Sequence, residues 1–151
     1  MQGMRKAYDK KRVIIFAGLI AAWLCVIWGH SLQPAVVSSG ESGFFLRLLN
    51  SLLPVELSEF IVRKTAHFTE YVILGIFLSM ELSGWVKNVV KAEVYPLFAG
   101  LLIAMCDETI QFFVEGRSCE VRDVWIDFTG IFFATVITCA IINSKRFRGR
   151  T

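Results

Sequence analysis

The 151-residue chain predicts an all-α integral membrane protein, with four transmembrane helices and an interfacial amphipathic helix between the first and second. Three observations carry that prediction. The composition is 55% hydrophobic and the mean hydropathy is +0.57, which soluble domains rarely reach. Four apolar segments, at about residues 13–29, 67–82, 95–114 and 124–142, approach the length that crosses a hydrocarbon core about 30 Å thick. Lysine and arginine are abundant in alternate loops, as the positive-inside rule requires.

The first segment, Val13 to Gly29, carries no charge. Arg5, Lys6, Lys10, Lys11 and Arg12 before it would suit a signal peptide. The apolar run exceeds a usual h-region, however, and Trp28-Gly29-His30-Ser31 offers no small-x-small cleavage site, so a retained helix is expected. Ser38 to Gly43 reads as a flexible polar stretch. Beyond it Phe44, Phe45, Leu48, Leu49, Leu52 and Leu53 recur at helical spacing, the pattern of a helix lying in the outer interface, either as simple packing or as a lid. Pro54 ends that helix, and Ser58 with Glu59 starts another that runs through Arg63 into the second span. The second span is the shortest, with Glu70 and Glu81 near its ends. The third covers Tyr95 to Val114 and the fourth Val124 to Ile142.

Orientation follows from the basic residues. The N-terminal five, Lys87 and Lys91 in the loop after the second span, and Lys145, Arg146, Arg148 and Arg150 after the fourth make eleven of the 16. These belong inside, which puts both termini in the cytoplasm. Arg47, Arg63, Lys64, Arg117 and Arg122 fall outside. Topology and anionic lipid account for the net charge of +3, so no nucleic-acid partner is implied. Cys25, Cys106, Cys119 and Cys139 have neither paired metal-ligand spacing nor the pattern of a disulfide framework, and redox chemistry is not expected.

The candidate site comes from ionisable residues inside apolar segments, where one charge costs about 2.5–3.5 kcal/mol on insertion scales. Asp107 and Gln111 share a helix face with Glu108 on its flank, and Asp123 and Asp127 are one turn apart. Lys64, His67, Glu70 and Tyr71 form a stripe at the outer start of the second span. His30 and Ser31 close the first span on that side, and Gly116-Arg117 supplies a turn and a guanidinium. These groups predict a pocket in the outer leaflet, with Phe112, Phe113, Trp125 and Phe128 as its walls. His67, Glu70, Asp107, Glu108 and Asp127 are the candidate catalytic residues; Ser31, Lys64, Gln111, Arg117 and Asp123 are the candidate ligand-binding ones. Interhelical polar contacts average only about 0.6 kcal/mol, so so many charges exceed what helix association needs.

No cofactor and no metal are assigned, because His67-x-x-Glu70 is a weak ligand pattern without a second histidine. Lys64 and Arg117 would compensate the carboxylates instead, with Arg117 expected to partner Asp127 or to clamp a ligand anion. No nucleophile is fixed, although Ser31 beside His30 and Ser118 beside Arg117 are available.

The motifs Ser31-x-Gln33-Pro34, Arg63-Lys64-x-Ala66-His67-Phe68-x-Glu70-Tyr71 with Leu74-Gly75, and Asp107-Glu108-x-x-Gln111 resemble the VanZ-like family. Gly116-Arg117-Ser118 followed by Arg122-Asp123-Val124-x-x-Asp127-x-x-Gly130 extends the resemblance over most of the chain. Some members carry a histidine directly before the glutamine of the third-span motif, where this chain has Ile110. The resemblance implies a small multi-spanning protein of the bacterial cytoplasmic membrane, in a family whose namesake is associated with low-level teicoplanin resistance.

The leading expectation is a protein that binds or modifies an amphiphilic envelope molecule at the outer leaflet, with a membrane lipid or lipid-linked cell-wall precursor as partner. A lipoglycopeptide fits the same description. Two other readings stand beside it: a metal-assisted lipid-head-group hydrolase or transferase, and a small ion-coupled transporter. The residues set no oligomeric state.

Overall fold

The computed structural model describes residues 10–52, 54, 56–86 and 88–148; Arg5, Lys6, Leu53, Lys87 and Arg150 lie outside them. Five helices follow in order, α1 Lys10–Ser31, α2 Ala35–Leu52, α3 Glu59–Trp85, α4 Val89–Phe112 and α5 Val121–Arg148, with no strand among the described residues. The all-α expectation is met. By length and composition α1 and the Val121–Ile142 part of α5 could each cross a membrane. In α3 and α4 buried ionisable residues interrupt the apolar runs, among them Lys64, Asp107 and Glu108.

Local chemistry explains the helix ends. Ser58 is the N-cap of α3, its hydroxyl accepting from Ile61 N–H at 3.3 Å, and Asn88 caps α4 by accepting from Lys91 N–H. The Asn50 amide clamps the turn before α3, accepting from Leu57 N–H at 2.9 Å. One expectation is corrected: Ser38 to Gly43 is not a flexible stretch but lies within α2. Serine and glycine disfavour helix interiors by up to about 1 kcal/mol each, and local bonds at the helix start together with one long-range bond offset this. Pro34 accepts from Val37 and Ser38 N–H, Ala35 N–H donates to Glu115, and Gln33 donates to Glu41. The third apolar segment also ends earlier than expected, at Phe112.

Helix α3 is the hub, packed against α1, α2, α4 and α5. Its approach to α5 depends on small residues. A Cβ at Gly130 would lie 2.7 Å from Phe68 O, and one at Gly75 would lie 2.8 Å from Ala134 Cβ. Ser79 donates to Thr135 across the same interface. Small residues let two backbones come close where a larger side chain would hold them apart. The apolar core is correspondingly small, built on Ile27, Tyr71, Leu74, Leu78, Ala104 and Ile131. Large apolar side chains instead face outward, among them Ile14, Phe98, Phe112, Phe133 and Ile141. A polar interior under an apolar exterior inverts the soluble pattern.

Candidate functional site

The polar residues of α1, α3, α4 and α5 gather at one end of the bundle. Antiparallel packing of α1 on α3 sets this end: Arg12 donates to Met80 O and Ser83 at the opposite end, while Trp23 Nε1 donates to Glu70 O nearer the site. The C-terminus of α1 thereby meets the N-terminal half of α3. The crossing at Gly130 brings Asp127, nearly one turn earlier on α5, to the level of His67.

At the centre lie His67, Asp107 and Asp127, each offering a ligand atom within 4.8 Å of the others. Asp107 and Asp127 are fully buried. Asp107 is held at both oxygens: Ser31 Oγ donates to one at 2.5 Å and Gln111 Nε2 to the other at 3.0 Å. Asp127 is held at neither. Both its oxygens lack a hydrogen-bond partner among the described residues, as does His67 Nδ1, which lies 3.6 Å from Asp127 Oδ1. A donor–acceptor separation of that length is too long for a hydrogen bond.

The remaining candidate residues surround this triangle in pairs. Lys64 binds Asp123 in a buried ion pair, with Glu120 at 3.9 Å from the same ammonium. Glu70 meets His30 Nδ1 at 2.6 Å. One Glu108 oxygen accepts from Glu120 N–H at 2.8 Å and so anchors the loop that leads into α5. Glycine is required in the preceding turn, where Gly116 has φ +73°. The turn directs Arg117 back across the end of α1, where it donates to His30 O at 2.7 Å, Gln33 O at 3.2 Å and Gln111 at 3.4 Å. Of the two roles expected for Arg117, the pairing with Asp127 is not formed: two of its nitrogens bond the carbonyls of His30 and Gln33 and the third bonds the Gln111 side chain. Burial, and then the charge of Arg63, draw the Arg117 pKa down from its ordinary value. Glu120 has its pKa lowered by its bond to Arg122 and by Lys64.

A cavity of about 580 Å³ opens beside the triangle, between α1, α2 and α3. Its polar lining includes His30, Ser31, Glu41, Arg63, His67, Glu70 and Arg117. Its apolar lining includes Trp23, Phe45, Leu49, Ile61 and Ile73. These replace the expected aromatic walls, since Phe112, Phe113 and Trp125 point outward at 66%, 80% and 61% exposure, and Phe128 stacks edge-on against Trp125. The helix period correctly grouped the carboxylates, but placed those aromatics on the neighbouring faces of α4 and α5. Helix α2 lines the cavity through Ser38, Glu41, Ser42, Phe45 and Leu49, which agrees with the lid alternative for the Phe44 to Leu53 pattern.

Chemically, the cavity can receive an anionic group at Arg63 and Arg117 while the triangle accepts a proton or a cation. Ser31 and His67 belong to both, since each lines the cavity and each touches or faces a buried carboxylate.

Comparison with curated proteins and with solved structures found no match. The model of one family does match, VanZ/LLP1, over residues 16–143. That range takes in every residue of the site described above, from Ser31 to Asp127, and most of the chain: the protein belongs to the VanZ/LLP1 family.

Proposed function

We propose that the protein is a four-span envelope membrane protein that takes the anionic head of an amphiphilic, cell-wall-related molecule into this cavity. In this reading α1, α3, α4 and α5 cross the membrane with both termini cytoplasmic, and α2 lies in the outer interface. The observation that carries it is the mixed lining of the cavity: two guanidiniums, Arg63 and Arg117, together with apolar Phe45, Leu49 and Ile61, with α2 as roof. A lipid-linked precursor with a phosphorylated head suits this lining, its chain on the apolar residues and its phosphates at the guanidiniums. A lipoglycopeptide such as teicoplanin has the same division into acyl chain and polar head, which links the reading to a contribution to glycopeptide tolerance. Outward-facing Val36, Phe44, Leu48 and Leu52 on α2 support its contact with lipid.

The test uses detergent-purified protein, with the fluorescence of its tryptophans, Trp23 of the cavity wall among them, as reporter. A short-chain polyprenyl diphosphate and teicoplanin are titrated separately, with phosphatidylcholine as the zwitterionic control. Saturable 1:1 binding of either anionic amphiphile is expected, weakened at least tenfold by Arg117→Lys, because lysine lacks the planar fork of donors. Equal response to phosphatidylcholine, or unchanged binding by Arg117→Lys and Arg63→Gln, would refute the proposal.

A further inference from the structure

We infer that His67, Asp107 and Asp127 form a divalent-cation site of the zinc or manganese type, set in the inner wall of the cavity. The three side chains come from α3, α4 and α5 and offer ligand atoms within 4.8 Å of one another. The edge between His67 Nδ1 and Asp127 Oδ1 is 3.6 Å. Metal bonds of about 2.1 Å at tetrahedral angles set ligand atoms about 3.4 Å apart. The separation is thus too long for a direct bond and close to that of two ligands sharing one ion.

An independent observation points the same way. Asp127 is completely buried, yet neither carboxylate oxygen has a hydrogen-bond partner among the described residues. Buried carboxylates are normally paired, hydrogen-bonded or on a metal. The cations expected to compensate them are engaged elsewhere: Lys64 on Asp123 and Glu120, Arg117 on two backbone carbonyls and Gln111. Asp107 is already oriented by Ser31 and Gln111, as outer hydrogen bonds orient metal ligands.

The donor set indicates which ions fit. One imidazole with two carboxylates suits zinc or manganese better than the all-oxygen shells of calcium and magnesium. Three protein ligands leave coordination positions open, as in metal sites that bind an exchangeable ligand. Since His67 and Ser31 line the cavity, those positions face the space assigned above to the head group. A phosphate or carboxylate oxygen of that head would complete the shell; this last step rests on the amphiphile reading, whereas the cation site does not.

The experiment is titration of EDTA-stripped, detergent-purified full-length protein with MnCl2 and ZnCl2, read by calorimetry, elemental analysis and thermal melting. One ion per chain is expected, with a raised melting temperature. His67→Gln and Asp127→Asn should each weaken binding at least tenfold. Without metal, Asp127→Asn should melt at or above the unsubstituted protein, since it removes a buried charge that has no hydrogen bond and only the 3.6 Å contact with His67, so a lost metal response cannot be ascribed to misfolding. Absence of saturable uptake by the unsubstituted protein, or full uptake by Asp127→Asn, would overturn the site. A polyprenyl diphosphate that binds protein unable to take up metal would sink the cation site and leave the amphiphile reading intact. Stoichiometric metal without amphiphile binding would uphold the site and remove only the head-group step.

Discussion

The Lys64–Asp123 pair joins α3 to the first turn of α5, and a double-mutant cycle measures what it contributes. The side chains are only 9% and 6% exposed, so the energetics are those of a buried pair. Exposed ion pairs are worth about 0–1 kcal/mol, whereas breaking a buried pair by removing one member costs about 3–5 kcal/mol. Lys64→Met leaves the Asp123 charge without its ammonium and should lie in that range. Asp123→Asn leaves Lys64 with Glu120 at 3.9 Å and the Phe60 ring centroid at 5.2 Å, so its cost should fall at the lower end. At roughly 2–4 °C per kcal/mol for a chain of this size, each single substitution should lower the detergent melting temperature by about 10 °C. The double substitution removes both charges and should recover most of the loss, giving a coupling of about 2–3 kcal/mol. The assay is thermal unfolding of all four proteins in one detergent. Additive losses, or a Lys64→Met melting temperature within about 2 °C of the unsubstituted protein, would refute the assignment of a buried pair.

Gly130→Ala should lower the melting temperature by several degrees, since its Cβ would meet Phe68 O at 2.7 Å and overpacking costs about 1–3 kcal/mol; unchanged melting would mean that α3 and α5 do not approach this closely. Cys119 has its thiol pKa raised by loss of solvation and by the charges of Glu108 and Asp123. Its thiolate is thus scarcer at neutral pH, so alkylation should be slower than for a free cysteine and have a midpoint at higher pH. A pH–rate profile matching free cysteine would contradict this. For topology, cysteines introduced at positions 41 and 120 should label with an impermeant reagent in intact cells, and one at 88 should not. Labelling at 88 alone would invert the proposed orientation.

The sequence made the helices legible because their ends carry local chemistry. Ser58 caps α3 as its sequence context predicts, and charges inside apolar runs marked residues that turn inward, whereas the Asn88 cap, which starts α4 at Val89 ahead of the apolar run from Tyr95, escaped the sequence reading. Helical spacing grouped Asp107 with Gln111, and these two remain bonded in the fold. What spacing could not supply was partnership across helices. His67, Asp107 and Asp127 come from three different helices, so no short motif joins them and the metal-ligand pattern looked weak. Opposite charge made Asp127 one of two expected partners for Arg117, the other being a ligand anion, whereas in the fold the carbonyls of His30 and Gln33 and the Gln111 side chain take its donors. The helical state of Ser38 to Gly43 escaped for a related reason: intrinsic propensity argued against it, and of the bonds that favour it the one from Ala35 to Glu115 is set by the tertiary fold.

Among the described residues, Ser31 and His67 are the side chains that both line the cavity and directly approach a buried carboxylate of the triangle. Ser31 closes α1, donating to Asp107 while its side chain also lines the cavity. His67 faces Asp127 on its inner side and the cavity on its outer side. A further link runs from Arg117 in the cavity wall through Gln111, which accepts from Arg117 and donates to Asp107. Glu70 stands apart from that route, engaged by His30 at the cavity wall, and Glu108 is committed to the loop before α5. The stretch from Glu108 to Arg117 thus serves two ends. Glu108 and Gly116 fix the loop, and the fixed loop holds Arg117 over the end of α1, where it borders the space in front of His67. Of the five residues expected to carry chemistry, the fold brings His67, Asp107 and Asp127 together, while Glu70 contacts His30 and Glu108 accepts from the Glu120 N–H.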